Sequence, residues 1–220
     1  MKIKGISLKS KTHGLTLVDV LVVLVVLAIA IVLAVLLLPS IKTVEKSKSI
    51  ICINNLRQIG SAFVMYADDN SGKFPFQTSV TNVAAKRIYD DHVFPYFQKV
   101  GHGLEPKVIV CPFDVARHAA ANIQALSDSS ISYFLNADAL RDSPVISILS
   151  GDRFLQTNGQ PIASGLFMLT TNLNVSWTPS IHNGGGNVLW SDGSVQQTAS
   201  YGWPSIIKSQ PLATNGLLIP

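Results

Sequence analysis

The sequence predicts an α+β fold in which a long N-terminal helix, half membrane-type and half amphipathic, packs on a small antiparallel sheet head. Three observations predict it. Residues 20–38 are apolar without a break, nineteen in a row with no charge, glycine or proline. From Cys52 the apolar side chains fall at Cys52, Leu56, Ile59, Phe63 and Tyr66, a spacing of four, three, four and three that marks one face of a helix. Residues 187–197 (NVLWSDGSVQQ) place Asp192-Gly193 between two strand-like runs, the pattern of a two-residue hairpin turn.

The chain opens with a short basic stretch. Lys2, Lys4, Lys9 and Lys11 precede Gly14 and no acid does, whereas the rest balances at 13 basic against 13 acidic side chains. The formal charge of +4 therefore belongs to this opening segment, and the body carries no bias toward nucleic acid. The apolar run that follows is roughly 29 Å long as a helix, close to the hydrocarbon thickness of a bilayer. It is too long for the core of a cleaved secretory signal, and no small-x-small site closes it. One carboxylate, Asp19, stands at its entrance, where a charge is costly enough to need a partner. Beyond Pro39 the helix is expected to continue with a kink, and the run from Asp68 to Pro75 should end it.

Gly14, Leu15, Thr16, Leu17, Val18 and Asp19, followed by the aliphatic run, resemble the type IV pilin leader motif, usually written G-F-T-L-[IV]-E. Leu15 stands where phenylalanine is usual, and Asp19 where glutamate is. The resemblance implies cleavage after Gly14 by a prepilin peptidase, N-methylation of Leu15, and a pilin-like fold. It divides the chain into a leader (1–14), a transmembrane and assembly helix (15–38), an amphipathic continuation (39–68) and an extracytoplasmic globular α+β head (69–220). It also implies a single-pass protein of the cytoplasmic membrane, with its N-terminus in the cytoplasm and its head in the periplasm or at the cell surface. The partners would be the membrane, the peptidase and other pilin or pseudopilin subunits, with no nucleic acid. Cleavage frees a cationic amine four residues before Asp19. In a bundle of such helices this amine and a neighbour's carboxylate would neutralise each other, setting axial register, a role open to buried ion pairs.

A second resemblance covers most of the chain. The stretch CINNLRQIGSAFVMYADDNSGKFP, from Cys52 to Pro75, and an H-x9-D-G pattern formed by His182, Asp192 and Gly193 look like a bacterial pseudopilin subfamily. CPFD from Cys111 to Asp114, SYFLN from Ser132 to Asn136, and GDR from Gly151 to Arg153 resemble its pattern too. These likenesses imply a structural subunit of a type II secretion or type IV pilus-like machine. The alternative is a cell-surface anchored binding module, for carbohydrate among other ligands, using a pilin-type leader.

In the head, residues 84–100 read as a helix interrupted at Pro95, and residues 107–111, 131–135, 144–149 and 166–171 as strands. Residues 156–164 and 172–186, rich in Ser, Asn and Gly, read as loops. Cys52 and Cys111 lack C-x-x-C spacing. In an exported domain they suit a disulfide, and otherwise two buried thiols. Asp152, His182 and Asp192 could together ligate a divalent ion, calcium included, but a turn role for Asp192 and a hydrogen-bonding one for His182 are the simpler reading. No cofactor is expected otherwise. Gly184-Gly185-Gly186 lacks the Lys-Ser/Thr of a phosphate loop, and neither H-E-x-x-H nor G-x-S-x-G occurs, so no enzyme chemistry is expected. Trp177, Trp190, Tyr201 and Trp203 crowd the C-terminal region and suit either core packing or a stacking platform for sugars.

Overall fold

A computed structural model describes residues 14, 16–37, 41–78, 91–101, 103–182 and 184–220. The chain divides into two compact units, Met1–Val44 and Glu45–Pro220. In the first, α1 spans Leu17–Leu37, and the stretch Leu17–Val35 is long and apolar enough to cross a membrane, with none of it buried in the protein. The kink expected at Pro39 lies outside the described residues.

The second unit is built on α2 (Ile41–Asp69), whose larger part belongs to it. Cys52, Leu56, Ile59 and Phe63 are all fully buried, as their spacing predicts, and Ala67 extends the stripe. Asn55, although polar, is buried as well, and its Nδ2 donates to the Val110 carbonyl at 3.1 Å. The helix stops where Ser71 and Gly72 take positive φ and the Gly72 amide caps the Ala67 carbonyl. Two short helices follow, α3 (Pro75–Thr78) and α4 (Phe94–Val100). Pro95 sits in the first turn of α4, where its missing N–H costs nothing, and so begins a helix instead of interrupting one. The remainder of the helix expected over 84–100 lies outside the described residues.

Among the described residues nine strands make two antiparallel sheets: β1 (Tyr133–Asn136), β2 (Ile148–Asp152), β3 (Leu155–Thr157), β4 (Gln160–Pro161), β5 (Gly165–Thr170), β6 (Val175–Trp177), β7 (Gly185–Trp190), β8 (Val195–Ala199) and β9 (Thr214–Ile219). The larger sheet has the order β5-β9-β1-β2-β7-β8 and the smaller the order β4-β3-β6. One face of the large sheet, carrying Tyr133, Leu135, Leu149, Leu189 and Leu218, packs on the α2 stripe. The other, with Phe134, Ile148, Val188, Leu217 and Ile219, is covered by Trp177 and by α5 (Trp203–Lys208), which supplies Trp203, Ile206 and Ile207. A sheet buried on both faces shows near-continuous apolar runs, not alternation.

The α+β class stands, with several elements displaced. Residues 107–111 are not a strand, because Pro106–Ile109 forms a single 3-10 turn opened by its proline. The strand expected over 144–149 begins at Ile148, after a partly exposed Pro144-Val145-Ile146 segment. Residues 156–164 hold a hairpin, with Asn158 and Gly159 both at positive φ between paired Thr157 and Gln160. Residues 172–186 contain β6 and the start of β7. The β7–β8 connection carries three residues, Ser191, Asp192 and Gly193, because Trp190 pairs with Ser194 through N–H···O at 2.9 Å. Only Gly193 of these takes positive φ, which matches a type I turn closed by a glycine bulge.

Trp177 lies flat over Gly186, where an added Cβ would sit 2.5 Å from the indole. Gly186→Ala is expected to lower stability by about 1–3 kcal/mol, read from the urea midpoint of the full chain at unchanged slope.

Candidate functional site

The residues singled out from the sequence fall in two places. Gly14 and Asp19 belong to the first unit, and Leu15 lies outside the described residues. Asp19 occupies the first turn of α1, and its Oδ2 accepts from the Thr16 amide at 2.9 Å and the Thr16 hydroxyl at 2.7 Å. The Asp19 amide in turn lies 3.3 Å from Thr16 Oγ1, so the two residues form a reciprocal cap. The T-x-x-D spacing that signals this cap stands in the sequence at Thr16 and Asp19. The carboxylate is thereby aimed back at the N-terminal end of the helix.

The second place lies inside the head. Cys52 on α2 and Cys111, just after the 3-10 turn, form a disulfide. His182 sits above it at φ +47°, with Nε2 3.8 Å from Cys111 Sγ and its ring 4.4 Å from that of Phe113. Such a φ is uncommon for a residue with a Cβ and costs energy unless the surroundings hold it. Asp152, at the end of β2, holds it from the other side: its Oδ2 is 3.3 Å from His182 Nε2, and both side chains are fully buried. The same oxygen accepts the Asn187 amide at 2.7 Å and Asn187 Nδ2 at 2.9 Å. Asp152 thus ties the His182 turn and the start of β7 to β2.

An ion pair flanks this contact. Arg153 meets buried Asp114 through two bonds, Nε to Oδ2 at 2.7 Å and Nη2 to Oδ1 at 2.9 Å. This bidentate geometry is the strong form of such a pair. Arg117 donates beside it to the Asp128 and Pro220 carbonyls at 2.7 and 2.9 Å. Burial, and then the nearby Arg153 charge, lower the Arg117 guanidinium from its ordinary value, against the pull of Asp114 and Asp128. Tyr133 is pushed well above the usual phenol range, first by burial and then by the Asp152 carboxylate, so it stays neutral. Asp114 and Arg153 were visible only as members of the CPFD and GDR motifs. Their pairing across 39 residues carried no local signal.

The three residues considered as metal ligands are not brought together. Asp192 is exposed in the β7–β8 turn, where its Oδ1 accepts from the Ser194 amide and hydroxyl at 2.9 and 2.7 Å. Val188 pairs with Gly151, and Asp192 lies four residues further on, about 13 Å of strand away from the Asp152 end. The H-x9-D-G pattern therefore spans β7 from end to end: its histidine locks one end to the disulfide and its Asp-Gly turns the chain at the other. The cysteine sulfurs are bonded to each other beside His182, and Asp152 Oδ2 accepts from Asn187, while Asp152 Oδ1 and His182 Nδ1 are buried without a hydrogen-bond partner among the described residues. With both His182 and Asp152 sealed from solvent, the cluster is an internal fastening.

No protein-family model matches the chain, nor does any curated protein or solved structure.

The disulfide closes a loop of 59 residues. On the chain-entropy account its removal costs about 4 kcal/mol. The double variant Cys52→Ala with Cys111→Ala should therefore unfold at a much lower urea concentration, and a reductant should then leave its midpoint unchanged while lowering that of the parent.

Proposed function

We propose that this protein is a pilin-like structural subunit, trimmed by a prepilin peptidase and assembled through its N-terminal helix into a type II secretion or type IV pilus-like filament. The observation that carries the reading is Asp19. It is the one carboxylate in a helix otherwise apolar on every side, and Thr16 holds it facing the end where cleavage after Gly14 would create an amine. A membrane anchor needs no charge there. In a bundle of such helices, by contrast, a carboxylate and a neighbour's amine each offset the other's desolvation and fix the axial offset between subunits. The α2 stripe and the disulfide support the same reading, since they fasten a folded head to α2.

In this mechanism the leader holds the lysines on the cytoplasmic side, the peptidase cuts after Gly14, and the new Leu15 amine is methylated. The subunit then leaves the bilayer into the growing helical core with Asp19 setting its position. The head takes no part in the chemistry of assembly.

The test separates charge from capping. Asp19→Asn keeps an acceptor for Thr16 and removes the charge, whereas Asp19→Ala removes both. Mass spectrometry of membrane-bound parent and variants should show a chain starting at Leu15 with one added methyl group. Both variants should be missing from the sheared filament fraction. Normal assembly of Asp19→Asn would mean that capping alone matters and that the register role is wrong.

A further inference from the structure

Two depressions flank Trp190 on the sheet face that α5 covers. One, of about 430 Å³, has Trp190, Gln196 and Thr198 along the sheet and Tyr201, Ser205 and Ser209 along the α5 side. The other, of about 450 Å³, is bounded by Pro144, Val145, Ile146, Ser194 and the same Trp190 and Ser209. Trp190 is thus the ridge between two halves of one trough. Of the four aromatic residues clustered in this region, Trp177 and Trp203 are spent in the core, their rings 5.1 Å apart and tilted by 57°. Trp190 is half-buried and Tyr201 is 88% exposed.

We infer that this trough is a binding site for a neutral oligosaccharide, with Trp190 and Tyr201 as stacking surfaces for successive sugar rings and Gln196 and Ser205 as hydrogen-bonding partners for their hydroxyl groups. The chemistry of the lining supports this class. A sugar ring offers apolar C–H faces and a rim of hydroxyl groups, and it is met by flat rings with amides and hydroxyls at their edges. Gln196 and Ser205 are exposed, and among the described residues neither side chain has a hydrogen-bond partner within the protein, so each is uncommitted. No Asp, Glu, Lys, Arg or His is among the residues lining either half, which removes the means of favouring an anionic glycan, a nucleic acid or a charged peptide. The first half also runs along β8, the strand that ends the large sheet, since Gln197 and Ala199 line it beside Gln196 and Thr198. Gln196 pairs with Val188, whose side chain belongs to the α5-side core, so the floor is the face of β7 and β8 while their backbone groups point along the plane of the sheet. The two halves share Trp190 and Ser209, so a single elongated ligand can touch both. The inference does not rest on the filament reading, since a subunit or an anchored module could carry the same trough.

The test uses the full chain in lipid nanodiscs, free of glycoside detergents, with calorimetric titration of cellohexaose, chitohexaose and maltohexaose. At least one of these neutral hexasaccharides should bind. Tyr201→Ala, which removes an exposed ring outside the core, should weaken it roughly tenfold. Gln196→Ala should weaken it about fivefold. Trp190→Phe keeps the core filled with a smaller ring and should also weaken it, while Met65→Ala, on an exposed face of α2, should leave it unchanged. Binding by none of the three sugars overturns the inference. So does binding that Tyr201→Ala and Gln196→Ala leave intact, or tighter binding of polygalacturonate than of every neutral chain.

Discussion

The head depends on the contact between one stripe of α2 and the inner face of the large sheet. Cys52, Leu56, Ile59 and Phe63 are each fully buried there, and burial of side chains of this size contributes about 1.5–3 kcal/mol apiece. Close approach requires Gly60, where a Cβ would meet Leu189 at 2.7 Å and the backbone of Gly193 at 3.4 Å. The β7–β8 turn therefore rests on the helix itself. Everything on the far side of the sheet, including Trp177, Trp203 and the trough around Trp190, is positioned through this single layer.

The buried polar cluster acts at the N-terminal end of the stripe. His182 in a left-handed conformation, Asp152 receiving two bonds from Asn187, and the Asp114–Arg153 pair surround the disulfide. Asp114 is paired with Arg153 and Asp152 accepts from Asn187, and such partners are what let polar groups lie inside at all. Segments remote in sequence, 111–114, 151–153 and 182–187, are held in one place by them.

The helix stripe was legible in the sequence because only one side of α2 is buried, so a period near 3.6 survives. The strands were less so. β1 (YFLN), β2 (ILSGD) and β9 after its exposed Thr214 (TNGLLI) are covered on both faces, which erases alternation, and β9 carried no strand signal. The Asn158-Gly159 turn carried its usual signal, but its flanking Gln, Thr and Pro residues look like loop. At the polar cluster, His182 and Asp152 stood out through their motifs and do meet. Asp192 was grouped with them because spacing along a chain does not reveal that nine intervening residues are a turn and an extended strand. Asp19 was legible as an anomaly of charge, while its local bonding to Thr16 was not anticipated.

The covalent bond between Cys52 and Cys111 also decides how the molecule bears load. Tension applied between α1 and the C-terminal strand passes from the helix at Cys52 directly into Cys111, bypassing residues 53–110. That bypassed segment contains the rest of the α2 stripe, so the helix could not be peeled from the sheet by stretching the backbone between the two cysteines. Extension is then confined to the residues outside the loop, which include all the strands described, so the sheet side of the seam yields under load while the backbone from Cys52 to Cys111 keeps its length.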